Sequence, residues 1–132
     1  MKISVDTNVL VRLIVGDDNT QQAKAAEILD AADLVAISVH TLCEFAWVLQ
    51  SRYKIAKVDI GSAMRGILNM KNVVANRPTI EAGLLMLDAG GDFADGVIAF
   101  DGRWLGGETF VSFDRKAVTL LEAAGVTTIS LT

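Results

Sequence analysis

The sequence predicts an α/β fold, a three-layer α/β/α arrangement around a mostly parallel central sheet of about five strands. Short β-branched runs alternate along the chain with stretches of helical periodicity, and such alternation is typical of parallel sheets covered by helices. No internal repeat, low-complexity run or linker interrupts the 132 residues, of which 52% are hydrophobic. We therefore expect one domain, residues 1–132, that can bury a sizeable core.

Five short runs rich in β-branched residues are the predicted strands. They lie at residues 2–6 (KISVD), 34–38 (LVAIS), 72–76 (NVVAN), 108–113 (ETFVSF) and 127–131 (TTISL). Each is separated from the next by a longer segment, which is the spacing that crossover connections between parallel strands require.

The intervening segments are the predicted helices. They run through residues 21–32, 41–53, 58–70, 78–90, 92–107 and 114–125. Asn19 is expected to cap the first, and Gly125 to end the last. In the second, Leu42, Phe45 and Leu49 share one face with Ala46, which predicts a buried side.

Composition excludes several classes of protein. One cysteine and one histidine rule out an internal disulfide framework and leave a Cys/His zinc site very poorly supplied. No stretch has the apolar length of a membrane span, and the N-terminal segment lacks the features of a secretory signal. A soluble cytoplasmic protein is expected.

Charge is distributed unevenly along the chain. The net charge is −4, but residues 52–77 hold six basic side chains and only one acid. A basic patch beside an acidic body is compatible with a polyanionic partner, although each of these side chains alone fits an ordinary solvated helix face.

Carboxylates fall repeatedly at strand ends and helix starts. These are Asp6, Glu44, Asp92, Asp95 and Asp114. Each alone has a structural explanation, since Asp6, Asp92 and Asp114 fit helix N-caps, and Thr41-x-x-Glu44 fits a capping box. Parallel strands, however, bring their carboxyl ends to one edge of a sheet. Two carboxylates 4 Å apart repel by roughly 4 kcal/mol at an effective dielectric of 20. Several together therefore favour a hard divalent cation, Mg²⁺ or Mn²⁺.

Four segments resemble a known family. DTNVL follows the first predicted strand, T-x-x-E-F-x-x-V-L spans 41–49, DFADGVIA spans 92–99 and FVSFDRKA spans 110–117. In this order and spacing they resemble a PIN domain, and the chain looks like a VapC-type toxin of a toxin–antitoxin pair.

The resemblance implies a metal-dependent ribonuclease. Asp6, Glu44, Asp95 and Asp114 match the acids that hold Mg²⁺ or Mn²⁺ and carry catalysis in that family. Thr7, Asn8, Ser112 and Asp92 match supporting positions, Asp92 being the less constant acid. The resemblance also implies an RNA substrate, a homodimer and a small antitoxin protein that blocks the site.

Basic and aromatic side chains are candidates for the RNA surface. Arg12, Arg52, Lys54 and Arg115 are suited to phosphate contacts, which give affinity without sequence readout. Trp47 has a side chain that can stack on a base, but a core or interface position is the preferred interpretation.

Two other classes remain open from the residues. An aspartyl phosphoryl-transfer domain also places an aspartate after its first strand, but the phosphatase pattern requires a second aspartate where this chain has Asn8. A catalytically silent PIN-like binding module is the second alternative, although none of the four principal acids is missing.

Overall fold

The computed structural model describes residues 1–132 as seven helices and five strands in alternating order. They group into two compact units, Met1–Asn76 and Arg77–Thr132. The predicted α/β class is confirmed, because every strand pairing is parallel and helices connect the strands. None of the helices combines the length and apolarity that crossing a membrane would require.

The first unit contains three strands and four helices. They are β1 (Lys2–Ser4), α1 (Thr7–Ile14), α2 (Asn19–Ala31), β2 (Leu34–Ala36), α3 (Val39–Ser51), α4 (Lys57–Leu68) and β3 (Val73–Val74). The strands pair in the order β1-β2-β3, with Ile3 opposite Val35 and Val35 opposite Val73. This register places the turns after β1 and β2, and hence Asp6 and Ser38, beyond the same edge of the sheet.

The second unit contains three helices and two strands. They are α5 (Arg77–Asp88), α6 (Phe93–Trp104), β4 (Thr109–Ser112), α7 (Arg115–Ala123) and β5 (Thr127–Ser130). The parallel pair β4-β5 sets Val111 opposite Ile129. Gly125 follows α7 with a φ of +89°, as the predicted C-terminal cap requires.

All five predicted strands form where the β-branched runs lie, but the single sheet of about five strands is not what they build. The ladders form one sheet of three strands and another of two. The strands are only two to four residues long. Each therefore forms few ladder hydrogen bonds, and sequence runs of five or six residues overstate how far the pairing extends.

Helix starts differ from the prediction at three points. Helix α1 was not predicted, because its valines and isoleucine favour a strand, yet Asp6 caps it. Helix α2 is capped by Asp18 rather than Asn19, and the Asp18 carboxylate accepts the Gln21 N–H at 3.0 Å. Helix α3 begins one turn earlier than expected, with Ser38 as its cap. The Thr41-x-x-Glu44 capping box is therefore wrong.

Apolar side chains of α3 hold the first unit together. Leu42, Phe45, Ala46 and Leu49 are all buried, as the helical periodicity predicts. Trp47 lies off this face and is 63% exposed, so it is not a core residue of this chain, and an interface position stays a prediction.

Glycines bring α5 and α6 into close contact in the second unit. A Cβ added at Gly96 would lie 2.5 Å from the backbone oxygen of Ala82, and one at Gly83 would lie 2.6 Å from the ring of Phe93. Only glycine permits this approach, which fixes the start of α6 against α5. A small apolar cluster of Met86, Ala117 and Leu121 then joins α5 to α7.

Candidate metal centre

Three carboxylates converge in the second unit. Asp92, Asp95 and Asp114 each present an oxygen, and these oxygens all lie within 4.8 Å of one another. Asp92 precedes α6, Asp95 lies in its first turn, and Asp114 precedes α7. Two helix starts therefore bring together acids that are up to 22 residues apart in the sequence.

Local hydrogen bonds explain how each helix start is held. One Asp114 oxygen accepts the Ala117 N–H at 3.1 Å, so Asp114 caps α7 as predicted. The Asp114 backbone N–H donates to Ser112 Oγ at 2.9 Å. Asp92 occupies the N-cap position of α6 but makes no cap hydrogen bond through its side chain. Its backbone oxygen instead accepts the Asp95 N–H at 3.2 Å.

Electrostatics in this cluster disfavour three free negative charges. Burial raises the pKa of Asp95, and the neighbouring charges of Asp92 and Asp114 raise it further. Asp95 is half-buried, whereas the other two are exposed. An anionic set of three oxygen donors matches the ligand preference of hard divalent cations such as Mg²⁺. The residues present therefore fit the metal that the resemblance implies.

Asp6 and Glu44, the other two predicted acids, lie in the first unit. Asp6 follows β1, is exposed, and caps α1 through a 3.2 Å hydrogen bond from the Val9 N–H. Glu44 is exposed on α3, in the second turn rather than the first. Thr41, one turn before Glu44, lines the same shallow pocket as Asp6. Asp6 therefore lies at the start of α1, beside Thr41 of α3, the helix that contains Glu44.

Glu44 also lines an open cleft of about 470 Å³ between α1 and α3. Thr7 and Asn8 contribute from α1, directly after Asp6 in the chain. Trp47 and Arg52 contribute from α3. The positions predicted to support Asp6 therefore also form a wall of the cleft that contains Glu44.

The four residues predicted to contact RNA differ in their exposure and in their hydrogen-bond partners. Arg12 already has partners within the chain, because its guanidinium donates to the Asp17 carboxylate at 2.8 Å and to the Tyr53 hydroxyl at 3.0 Å. Arg115 is exposed and donates from Nε to Thr132 Oγ1 at 2.9 Å. Arg52 and Lys54 are exposed.

Sequence reasoning missed two features of these sites. It ranked Asp92 below the other acids, whereas the structure places it in the three-carboxylate cluster. It also missed the contact from Arg12 to Tyr53, which joins residues 41 apart in the chain. No local sequence pattern predicts the contact from Arg12 to Tyr53. The spacing of three residues between Asp92 and Asp95, in contrast, can be read from the sequence and suggests that the two acids are neighbours.

A separate apolar cavity in the second unit is not the candidate site. Its volume is about 440 Å³, and α5, α6, β4 and α7 form its walls. Arg103 and Glu108 are its only charged lining residues, and none of the predicted acids reaches it. Its walls therefore offer no cluster of oxygen donors.

Comparison with known families agrees with the motif pattern. The family model described as PIN domain matches residues 3–123, nearly the whole chain. A search among curated proteins gives no match.

Proposed function

The chain belongs to the PIN domain family, whose members are generally metal-dependent nucleases, and we propose that it is a Mg²⁺- or Mn²⁺-dependent ribonuclease. The observation that carries the proposal is the convergence of Asp92, Asp95 and Asp114 within 4.8 Å. Helix capping accounts for the position of Asp114 but not for the other two acids. The side chain of Asp92 makes no cap hydrogen bond, and Asp95 lies within the first turn of the helix.

The proposed metal-binding and catalytic residues are Asp6, Glu44, Asp95 and Asp114. Asp95 and Asp114 would hold the ion from the two helix starts, with Asp92 beside them. Asp6 and Glu44 are assigned by their match to the family motif. When bound, a divalent ion offsets the negative charge that develops on the phosphoryl oxygens during phosphodiester hydrolysis.

The chain's own groups position the reacting partners. Ser112 accepts the Asp114 backbone N–H and so would steady the residue that supplies one of the carboxylates. Thr7 and Asn8, which match supporting positions of the family motif, would steady Asp6 and its surroundings. The exposed cations Arg52, Lys54 and Arg115 would bind the phosphate backbone of RNA, whereas Arg12 would keep the α1 end in place through Asp17.

A finer assignment follows the four matching segments. We propose that residues 1–132 act as one PIN domain, as the toxin of a toxin–antitoxin pair in the cytoplasm. A homodimer and a small antitoxin protein are the proposed partners. The supporting observation is the VapC-like order of DTNVL, T-x-x-E-F-x-x-V-L, DFADGVIA and FVSFDRKA.

The test is RNA cleavage by purified protein that carries no antitoxin. A pool of structured and single-stranded RNAs is incubated with Mg²⁺ or Mn²⁺, and parallel reactions contain EDTA. Wild-type protein is compared with Asp95→Asn and Asp6→Asn. Asp30→Asn, which alters an exposed aspartate on α2, is the matched control.

We expect cleavage that requires the metal, is lost in both site variants and persists in the control. Calorimetric titration with Mn²⁺ is run in parallel. Absence of cleavage together with absence of metal binding by the wild type would contradict the nuclease proposal. Cleavage that is equal in Asp95→Asn and wild type would contradict the assignment of the centre.

A further inference from the structure

The exposed side chain of Trp47 has no explanation in the fold of the first unit. It is 63% exposed, while its neighbours Phe45 and Ala46 on the same helix are buried. An indole is among the largest apolar side chains, and leaving it in water forfeits most of the free energy that burial would supply. Its exposure points to a role at the surface.

Trp47 stands between two groups that suit a nucleotide. It lines the cleft of about 470 Å³ together with Glu44, on the same helix, and Arg52, the C-cap residue of that helix. At about 1.5 Å per residue, Trp47 is about 4.5 Å along the helix from Glu44 and about 7.5 Å from Arg52. The cleft thus offers a flat aromatic face between a candidate metal ligand and an exposed guanidinium.

We propose that this cleft is a subsite for one unpaired nucleotide of the RNA substrate, with its base stacked on Trp47 and a flanking phosphate on Arg52. The inference rests on the proposed ribonuclease function and adds to it the form of RNA that is bound. Every base has a π-face that can stack on an aromatic side chain, and the guanidinium matches phosphate geometry.

The features of the cleft favour single-stranded over double-stranded RNA. In a duplex both faces of a base are covered by its neighbours, so no face is available to an indole. The cleft also supplies the Asn8 side chain, whose amide both donates and accepts hydrogen bonds. The Watson–Crick edge of a base can use such a group only when that base is unpaired.

Fluorescence isolates the relevant side chain, because the chain has two tryptophans. Trp104→Phe leaves Trp47 as the sole indole, and Asp6→Asn in the same protein prevents consumption of the probe. This protein is titrated in Mg²⁺ with a six-nucleotide single-stranded oligoribonucleotide. The same strand annealed to its complement is the second probe. We expect saturable quenching by the single strand and little by the duplex.

Affinity is then compared across variants by the anisotropy of a dye-labelled single strand, because this readout does not depend on Trp47. Trp47→Ala is expected to raise Kd by about 5- to 150-fold, the range of one lost base stack. Trp47→Phe, which keeps an aromatic ring, should recover much of the affinity. Trp104→Ala removes an indole that is 78% exposed outside the cleft and should leave Kd unchanged. Thermal unfolding of each variant verifies that it folds.

Several results would overturn the subsite. They are an unchanged Kd in Trp47→Ala, equal quenching by the duplex, or a blue shift of Trp47 emission that grows with protein concentration without RNA. The last result would show that a second copy of the chain covers the indole. Metal-dependent cleavage with an unchanged Kd in Trp47→Ala would remove the subsite and leave the ribonuclease. Stacking on Trp47 without cleavage by wild type would remove the ribonuclease and leave a nucleotide-binding cleft.

Discussion

Replacing Asp95 by asparagine should stabilise the metal-free protein at pH 7. The substitution keeps the size and the oxygen of the side chain but removes its charge. Asp95 is the most buried member of the three-carboxylate cluster, and both of its neighbours raise its pKa. The wild-type protein therefore folds against mutual repulsion that Asp95→Asn relieves.

The separation of the oxygens sets the size of the effect. At 4.8 Å, the upper limit of these separations, two unit charges repel by about 3.5 kcal/mol at an effective dielectric of 20, and by about 0.9 kcal/mol in bulk water. Because Asp92 and Asp114 are exposed, solvent screening brings each pair close to the lower figure. Two pairs vanish in Asp95→Asn, which corresponds to about 2 kcal/mol and a rise in Tm of about 5–10 °C.

The pH dependence of the effect has a definite sign. The pKa of Asp95 is higher in the folded than in the unfolded protein. As the pH rises above about 4, the unfolded chain loses this proton first, and wild-type stability falls until the folded-state pKa is passed. Asparagine has no proton to lose. The gain in Asp95→Asn should therefore be small near pH 3, grow above pH 4 and persist at pH 7.

Urea unfolding in EDTA at several pH values measures the difference, and a second series contains Mn²⁺. The ion should raise the free energy of unfolding of the wild type, because it binds only the folded state, and raise that of Asp95→Asn much less. Glu81→Gln, which neutralises an exposed acid on α5, is the control and should show neither effect. A lower stability of Asp95→Asn at pH 7 in EDTA would refute the repulsion argument.

Substitutions at four further positions test how the helices and the metal centre are held in place. Gly96→Ala places a Cβ 2.5 Å from a backbone oxygen of α5 and should lower the free energy of unfolding by about 1–3 kcal/mol. Gly102→Ala in the same helix meets nothing within 4 Å and should raise it by about 0.5–1 kcal/mol; urea unfolding of both checks the pair. Ser38→Ala removes the α3 cap and should cost about 1 kcal/mol, which Ser38→Asp should restore in thermal unfolding. Ser112→Ala removes the acceptor for the Asp114 N–H and should weaken Mn²⁺ affinity about tenfold by calorimetry without a large loss of stability.

Local signals were sufficient for most of the secondary structure. The β-branched runs predicted all five strands, and the face of α3 that contains Phe45 is buried as its periodicity indicates. The errors lie at helix starts. Ser38 and Thr41 are both good N-cap residues, and the sequence contains no local reason to prefer the first. In α1, intrinsic preference favours a strand, but the Asp6 cap and burial of Leu10 and Val11 favour the helix.

The sequence indicated which acids are candidates for the site, but not which of them lie close together. An aspartate after a strand or at a helix start is visible in the sequence, so Asp95 and Asp114 were identified from their positions. Their distance from Asp92 was not visible, because it depends on how α6 meets α7 through packing of distant residues. Trp47 shows the same limit, since apolar character alone does not tell a core position from a surface one, and only the orientation of the helix shows that the side chain is exposed.

Alternation of strand and helix patterns, together with four ordered motifs, was enough to identify an α/β chain of the PIN domain family, because both depend on neighbours in the sequence. Packing decided the rest. The close packing of α6 on α5 at Gly96 fixes the position of the neighbouring Asp95. Asp114, at the start of α7, lies near it. Together these contacts set the distances between the three carboxylates. Local sequence preference cannot determine those distances, because they depend on how residues far apart in the chain pack in space.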